Sequence, residues 1–424
     1  MIVETTTDAL LAQVIPQAEA GTIRPGRQTD AIDGVCPRIV AEPTSGQALA
    51  EILRWACAER LAVGVRGGGT KLTWGRRPGP IDVALSTARL NRVVEHRHGD
   101  LTATIEAGAT LTQVNDALGI HRQWLPLDPP WPERATVGGI VATNDSGPSR
   151  HWHGPPRDLI IGVTFVRHDG ALAKAGGIVV KNVAGYDLSR LMTGAFGSLG
   201  VIVDATFKVI PIAVSSRTLS VDLDSVEALE PALTAVMASS LTPSAVELAY
   251  PPARLLVRFQ SVDQAVEKQA EEARRLMEAA TRARAVVVAG DAERQVWADH
   301  SSWWDADGTL LKVSTLAQAL IPTVSWLRGQ CDSQGLQLAA QGRAGLAVFY
   351  VRLDGSADAQ GRLIDALRGR LPLGEGSVVV RRASQTVREV VDPWGPLGDG
   401  QGVMQLIKKR FDPDSRLNSG RGPV

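Results

Sequence analysis

Apolar positions recur at helical spacing through residues 44–60, TSGQALAEILRWACAER, where Leu49, Ile52, Leu53 and Ala56 fall on one side. Thr44 or Ser45 supplies a cap at the start. The run LAVGV (61–65) then reads as a short buried strand. IDVAL (81–85) and LTATIEAGATL (101–111) read as further strands, and LTQVNDALG (111–119) as a helix ended by Gly119. Residues 126–158 change character and become dense in Pro, Gly, Asn and Asp. So long a stretch without its own periodicity, inside a compact domain, points to function. Strand patterns return at 159–166 and 201–211, separated by a turn at 168–170 and the mixed segment 176–200.

Beyond Pro211 the rhythm is different. A strand over 217–223, a helix near 225–239, strands over 245–250 and 254–260 around Pro251-Pro252, a helix over 262–280 and a strand over 283–290 follow in turn. The long helix carries Val262, Val266, Ala270, Ala273 and Met277 on one face. This β-α-β-β-α-β order is ferredoxin-like. It recurs at 309–314, 315–334, 336–341, 346–353, 358–370 and 376–383, without residue-level repetition. The tail is a short helix followed by a polar, turn-rich end.

With 424 residues, the chain exceeds what one hydrophobic core organises, so at least two domains are expected. Lys plus Arg and Asp plus Glu both number 45, which leaves no net field to draw nucleic acid or an anionic membrane. The cysteines, Cys36, Cys57 and Cys331, are far apart and form no C-x-x-C, which argues against a disulfide framework, a zinc ribbon and an iron–sulfur cluster. The first twenty residues lack a basic region and do not read as a signal peptide. No stretch approaches the roughly 20 apolar residues of a spanning helix. The expected compartment is the cytoplasm, with any membrane contact peripheral and made through a partner.

Candidate chemistry starts at VRGGGTKLTWG (65–75). Successive main-chain N–H groups in a tight turn make an anion-binding concavity, and Arg66 adds a fork-shaped cation. A Gly-rich hairpin turn with a surface arginine accounts for the same letters. The phosphate motifs in common use do not fit. Gly64 to Gly69 has P-loop spacing, but Thr70-Lys71 reverses the required order, and no helix follows Gly67 and Gly69 as a dinucleotide fingerprint requires. Two further glycine turns, ATVGGIVATNDSG (135–147) and FGSLGVI (196–202), point to one extended ligand wrapped by several loops.

Together with KNVAGYDLSRLMTGAFGSLGVI and the terminal FDPDSRLNSGR, these stretches resemble the vanillyl-alcohol-oxidase-type, FAD-linked oxidase flavoproteins, and among them the smaller FAD-binding subunits of glycolate oxidases. The resemblance implies an α+β chain. An FAD-binding domain would occupy 1–212, a ferredoxin-like antiparallel cap 213–385, and a segment returning to the FAD domain 386–424. It implies FAD held by Val65, Arg66, Gly67, Gly68, Gly69, Thr70 and Lys71 at the diphosphate. Thr136, Val137, Gly138, Gly139, Asn144 and Gly147 would support the diphosphate and ribityl region, with Gly200, Val201 and Ile202 at the adenosine end and Asn418 reaching in from the tail. Where some relatives place a histidine that bonds covalently to FAD, this chain has Thr70, so non-covalent FAD is expected. Lys181 or Asn182 would lie near the flavin pyrimidine edge, where a cation stabilises charge on reduced flavin. Asp187 reads as the cap of the following helix.

The resemblance also implies oxidation of a small 2-hydroxy acid such as glycolate, within a complex with a larger flavoprotein subunit and an iron–sulfur subunit. Relatives that dehydrogenate hydroxy acids carry an H-x-G-D-G-N-type motif in the cap, which supplies metal ligands and a base. Residues 212–424 contain one histidine, His300, and no such motif. No catalytic residue and no metal ligand are therefore assigned. Arg258, Arg343 and Arg352 are carboxylate-binding candidates for which ion pairing is the simpler role. HWH (151–153) reads as loop surface and IKKRFDP (407–413) as a solvated helix face. Two roles stay open: direct oxidation of the hydroxy acid, or an accessory flavin-carrying subunit that stabilises the complex or relays electrons.

Overall fold

Ser45 starts the first helix by accepting the Ala48 N–H at its hydroxyl, and α1 (Gly46–Ala58) buries Leu49, Ile52, Leu53 and Ala56 as the periodicity requires. The computed structural model describes residues 22–178 and 185–424. Among these, β1 (Ile23–Pro25), β2 (Ile39–Ala41), β3 (Val63–Arg66) and β4 (Val83–Ser86) form one sheet in the order β1-β2-β4-β3. Strand β4 runs parallel to both β2 and β3. Helix α1 supplies the crossover between the parallel strands β2 and β3.

A second sheet is antiparallel. Its members are β5 (Val93–Arg97), β6 (Thr102–Glu106), β8 (Ile160–Val166), β9 (Leu172–Gly176) and β10 (Val201–Lys208), in the order β5-β6-β10-β8-β9. The short pair β7 (Gln123–Trp124) and β11 (Ile210–Pro211) lies apart from it. Helix α2 (Leu111–Gly119) opens on a capping box in which Thr110 and Gln113 satisfy each other's backbone N–H groups. The loop-rich segment 126–158 holds three short helical pieces: α3 (Val137–Thr143) and the turns Arg150–His153 and Pro156–Leu159. They were not foreseen, because glycine and proline mask their periodicity. Asp187 caps the short helix Leu188–Met192 by accepting the Arg190 N–H, as its sequence position suggests.

The remaining strands make one eight-stranded antiparallel sheet. In chain order they are β12 (Ser215–Leu223), β13 (Ala245–Tyr250), β14 (Ala253–Ser261), β15 (Ala285–Val288), β16 (Thr309–Ser314), β17 (Gln337–Arg343), β18 (Val348–Asp354) and β19 (Ser377–Arg382). The spatial order is β15-β12-β14-β13-β17-β18-β16-β19. Each half reads fourth-first-third-second, the ferredoxin-like arrangement, and the halves meet edge to edge where β13 pairs with β17. Helices α4 (Leu229–Met237), α5 (Asp263–Thr281), α7 (Leu320–Gln334) and α8 (Ala357–Arg370) are the crossovers, with α6 (Gly290–Ser302) inserted between the halves. One apolar core joins Leu219, Phe259, Val266, Met277, Leu311, Phe349 and Ile364.

The chain divides into two compact units. The first comprises the described parts of Met1–Gly147 and Gly154–Ile212, with Asp399–Val424; the second comprises Pro148–His153 and Ala213–Gly398. The tail thus joins the first unit through α9 (Gly400–Phe411) and the turns beyond it. Ile407 and Phe411 pack on the core around Ile105, Phe165 and Phe207. Among the described residues no helix is long and apolar enough to cross a membrane.

Candidate functional site

The triple glycine follows directly after β3, and the structure gives each member a separate reason. A Cβ on Gly67 would lie 2.2 Å from Thr136 Oγ1, and one on Gly68 would lie 1.7 Å from the Arg134 carbonyl oxygen. Gly69 has φ +79°, a left-handed backbone that side chains rarely adopt. The bare backbone at the first two positions is therefore occupied by the 134–136 segment, and the two glycine loops interlock. The Gly68 N–H donates to Thr136 Oγ1 at 3.3 Å. The N–H groups of Gly67, Gly69 and Thr70 make no hydrogen bond to other described residues.

The loops border an open cleft in the first unit that spans about 710 Å³, solvent at its mouth included. Val65, Arg66, the three glycines, Thr70 and Lys71 form one wall. Thr136, Gly138 and Gly139 form a second, and Gly200, Val201, Ile202 and Asn418 a third. Three expected residues stand behind the walls. Val137 donates its N–H to the Ala109 carbonyl at 2.9 Å. Asn144 ends α3 in a left-handed conformation, and Gly147 presses on the Asp128 carbonyl, which a Cβ would meet at 1.8 Å. Lys181 and Asn182 lie outside the described residues.

Asn418 is held at both ends of its carboxamide. Its Oδ1 accepts the Val65 N–H at 2.9 Å and its Nδ2 donates to the Phe196 carbonyl at 2.6 Å. It fixes the wall rather than extending a free amide. Arg421, not foreseen, lines the same cleft and donates to the carbonyls of Leu72 at 2.6 Å and Trp74 at 2.9 Å. The one hint in the sequence is an arginine between the glycines of SGRG, three residues after Asn418. Phe196 and Gly197, at the head of the third glycine turn, also line the cleft and were missed as individual residues.

Besides Arg421, two cations line the cleft. Arg66 is about one-fifth exposed and lies 3.5 Å from Asp30. Asp30 also accepts two short bonds from Arg24, which, with the Arg27 N–H and the nearby Arg66 charge, hold its carboxyl down at about 2. Lys71 is almost fully buried and lies 3.0 Å from the buried Asp145 carboxylate. Unengaged amides, two cations and apolar side walls together suit an elongated ligand with adjacent anionic groups.

The second unit carries a separate polar cluster on the sheet face opposite the crossover helices. His300 places Nε2 3.2 Å from Glu247 Oε2, and Arg343 Nε lies 3.9 Å from Glu247 Oε1. Arg258 stacks 4.6 Å from the Trp297 ring centre and donates to Ser149 Oγ at 3.1 Å. Arg352 donates to the Trp303 carbonyl. Each arginine raised as a carboxylate binder thus has a protein partner. The HWH stretch forms a helical turn rather than a loop: Trp152 is exposed, while half-buried His151 packs against Gly345, where a Cβ would meet its Cε1 at 2.4 Å. Burial, with the Arg258 charge, lowers the His153 imidazole to about 4. Among the described residues no group of three or more His, Cys, Asp or Glu could hold a metal ion.

Comparison with known proteins agrees with this geometry. A family model described as an FAD binding domain matches residues 37–176. The glycolate oxidase subunit GlcE of Escherichia coli (strain K12) is 28% identical over 375 residues, covering 85% of this chain and 98% of that protein. The glycolate oxidase subunit GlcD of Bacillus subtilis (strain 168) is 28% identical over 221 residues, so the chain spans about half of its length (47%). Among solved structures, 4-ethylphenol oxidase from Gulosibacter chungangensis shares the fold with a TM-score of 0.74 at 15% identity, over 99% of this chain and 98% of that one. The chain contains an FAD-binding domain and resembles the FAD-linked oxidases, GlcE among them. FAD fits the residues present: its diphosphate matches the unengaged amides beside Arg66 and Lys71, and its flat rings match the apolar walls.

Proposed function

We propose that this FAD-linked oxidoreductase is the FAD-carrying subunit of a glycolate oxidase-type complex that oxidises a small 2-hydroxy acid. The observation that carries the proposal is the cleft of interlocked glycine loops inside an FAD-binding domain, in a chain that matches GlcE over nearly that protein's whole length. Bound FAD supplies a two-electron acceptor. The residues of this chain bind and orient it. The amides of Gly67, Gly69 and Thr70 donate to the diphosphate, and Arg66 and Lys71 balance its charge. Thr136, Gly138 and Gly139 border the ribityl region, Gly200, Val201 and Ile202 the adenosine end, and Asn418 and Arg421 keep the walls in place. Thr70 leaves no imidazole at the position of covalent attachment, so the FAD is non-covalent.

The complex would further contain a larger flavoprotein subunit and an iron–sulfur subunit, with the assembly cytoplasmic and at most peripheral to a membrane. A second reading keeps the cofactor and moves hydroxy-acid oxidation to the larger subunit. It is favoured by the state of His300, the only histidine after residue 212, which is spent on Glu247. One anaerobic titration separates the two. Purified chain with bound flavin is mixed with glycolate or D-lactate and followed by absorbance. Bleaching of the flavin without partners is the expected result if the chain oxidises substrate itself. Bleaching only after the partner subunits are added assigns the accessory role. A chain that never holds flavin, alone or assembled, sinks both.

A further inference from the structure

Asp145 lies just beyond α3 with 2% of its surface exposed, and neither carboxylate oxygen accepts a hydrogen bond from a described residue. Buried carboxylates ordinarily collect several donors. Here the compensation is a single cation, Lys71 Nζ at 3.0 Å, placed as an ion pair but outside hydrogen-bond geometry. Lys71 borders the cleft and Asp145 does not. Lys71 is steadied by its bond to Thr70 Oγ1 at 3.2 Å and by the Trp74 ring, whose centre is 5.7 Å away. A buried lysine without an anion would be costly, and so would a buried aspartate without its lysine. The pair therefore keeps the charged lysine folded into the wall before any ligand arrives.

We infer that Asp145 stands in for the ligand's diphosphate and thereby limits how tightly the cleft holds its cofactor. This rests on the FAD reading of the cleft. When the diphosphate enters, Lys71 is shared between two anions, and the Asp145 charge opposes binding across a short, poorly screened distance. Asp145 is thus a positioning residue in the unloaded chain and a counterweight in the loaded one. The consequence has an unusual sign: removing a buried charge beside the site strengthens binding. The effect is confined to ligands that carry phosphate.

The test uses the full chain, stripped of flavin and titrated with FAD or riboflavin by fluorescence at low and moderate salt. Asp145→Asn keeps the shape and removes the charge. Its FAD dissociation constant is expected to fall about tenfold, with riboflavin unchanged and with most of the gain retained as salt rises, because the charges are buried. Lys71→Met is expected to weaken FAD binding by a similar factor. The double variant, in which no buried charge is left alone, is expected to bind FAD more tightly than Lys71→Met. Should Asp145→Asn not fold, comparing Lys71→Met with the double variant reads the same sign. If removing Asp145's charge leaves FAD binding unchanged or weaker in both backgrounds, the inference is overturned and the cofactor reading stands. If the unaltered chain retains no FAD, both fall together.

Discussion

At the level of single residues, the glycines that border the cleft are not equally required, and that difference can be measured. Gly68 faces the Arg134 carbonyl so closely that a methyl group would sit 1.7 Å from the oxygen, a contact no side-chain rotation relieves. Gly139 borders the same cleft, but its Cβ would meet only Thr136 Oγ1, at 3.3 Å. Gly68→Ala is therefore expected to cost at least about 3 kcal/mol and to lose bound flavin, because the loops must separate. Gly139→Ala is expected to stay within about 1 kcal/mol, helped by alanine's helix propensity in α3. Denaturant melts with flavin absorbance as a second signal check both, and equal losses would refute the distinction. The sequence disclosed where these glycines lie but not what they touch. Arg134 and Thr136 are more than sixty positions away, and only folding brings them there. The same limit hid Arg421, whose carbonyl partners lie about 350 positions upstream.

At the level of elements, the duplicated β-α-β-β-α-β order was legible because each half repeats strand and helix periods cleanly. Helix α6 was not legible: GDAERQVWADHSS has few apolar positions, and what it buries is polar, Glu293 and His300. Glu293 accepts from Ser216 at 2.6 Å and Thr218 at 2.7 Å, so hydrogen bonding rather than an apolar stripe seats the helix. The short turn Arg150–His153 was misread for a related reason, since its histidines are half-buried against the second unit. That burial has a consequence with acid. In the folded chain His153 refuses a proton until about pH 4, whereas its unfolded value is 6.5. As pH falls from about 6.5 towards 4 the unfolded chain binds a proton that the folded chain does not, so stability is lost across that window. Thermal melts of the parent and of His153→Asn between pH 7.5 and 4 should converge as the solution is acidified. Parallel curves would show that the imidazole does not titrate in this way.

At the level of the whole molecule, the first unit is built from both ends of the chain, and its cleft depends on that closure. Strand β3 is an edge strand of its sheet, and the tail covers it. Leu417 pairs with Val63, the Val63 N–H donates to Arg416, and the Asn418 N–H donates back to Val63. The turn that delivers these residues is organised by Asp412, fully buried, whose carboxylate accepts the Arg416 and Leu417 N–H groups and the Lys408 ammonium. The glycine loop that emerges from β3 is then held from the far side by Arg421. A chain ending at Gly398 would retain every residue of the glycine loops and lose the edge cover, the Asn418 latch and the Arg421 clamp at once. An uncovered edge with buried N–H groups is unstable and prone to pair with other chains. Such a chain is expected to be purified without flavin, to unfold at lower temperature and to associate on gel filtration. The second unit draws no residue from the tail, so its β-rich circular dichroism should persist. Flavin retained at one equivalent would mean that the glycine loops suffice by themselves and that the tail is only a cover.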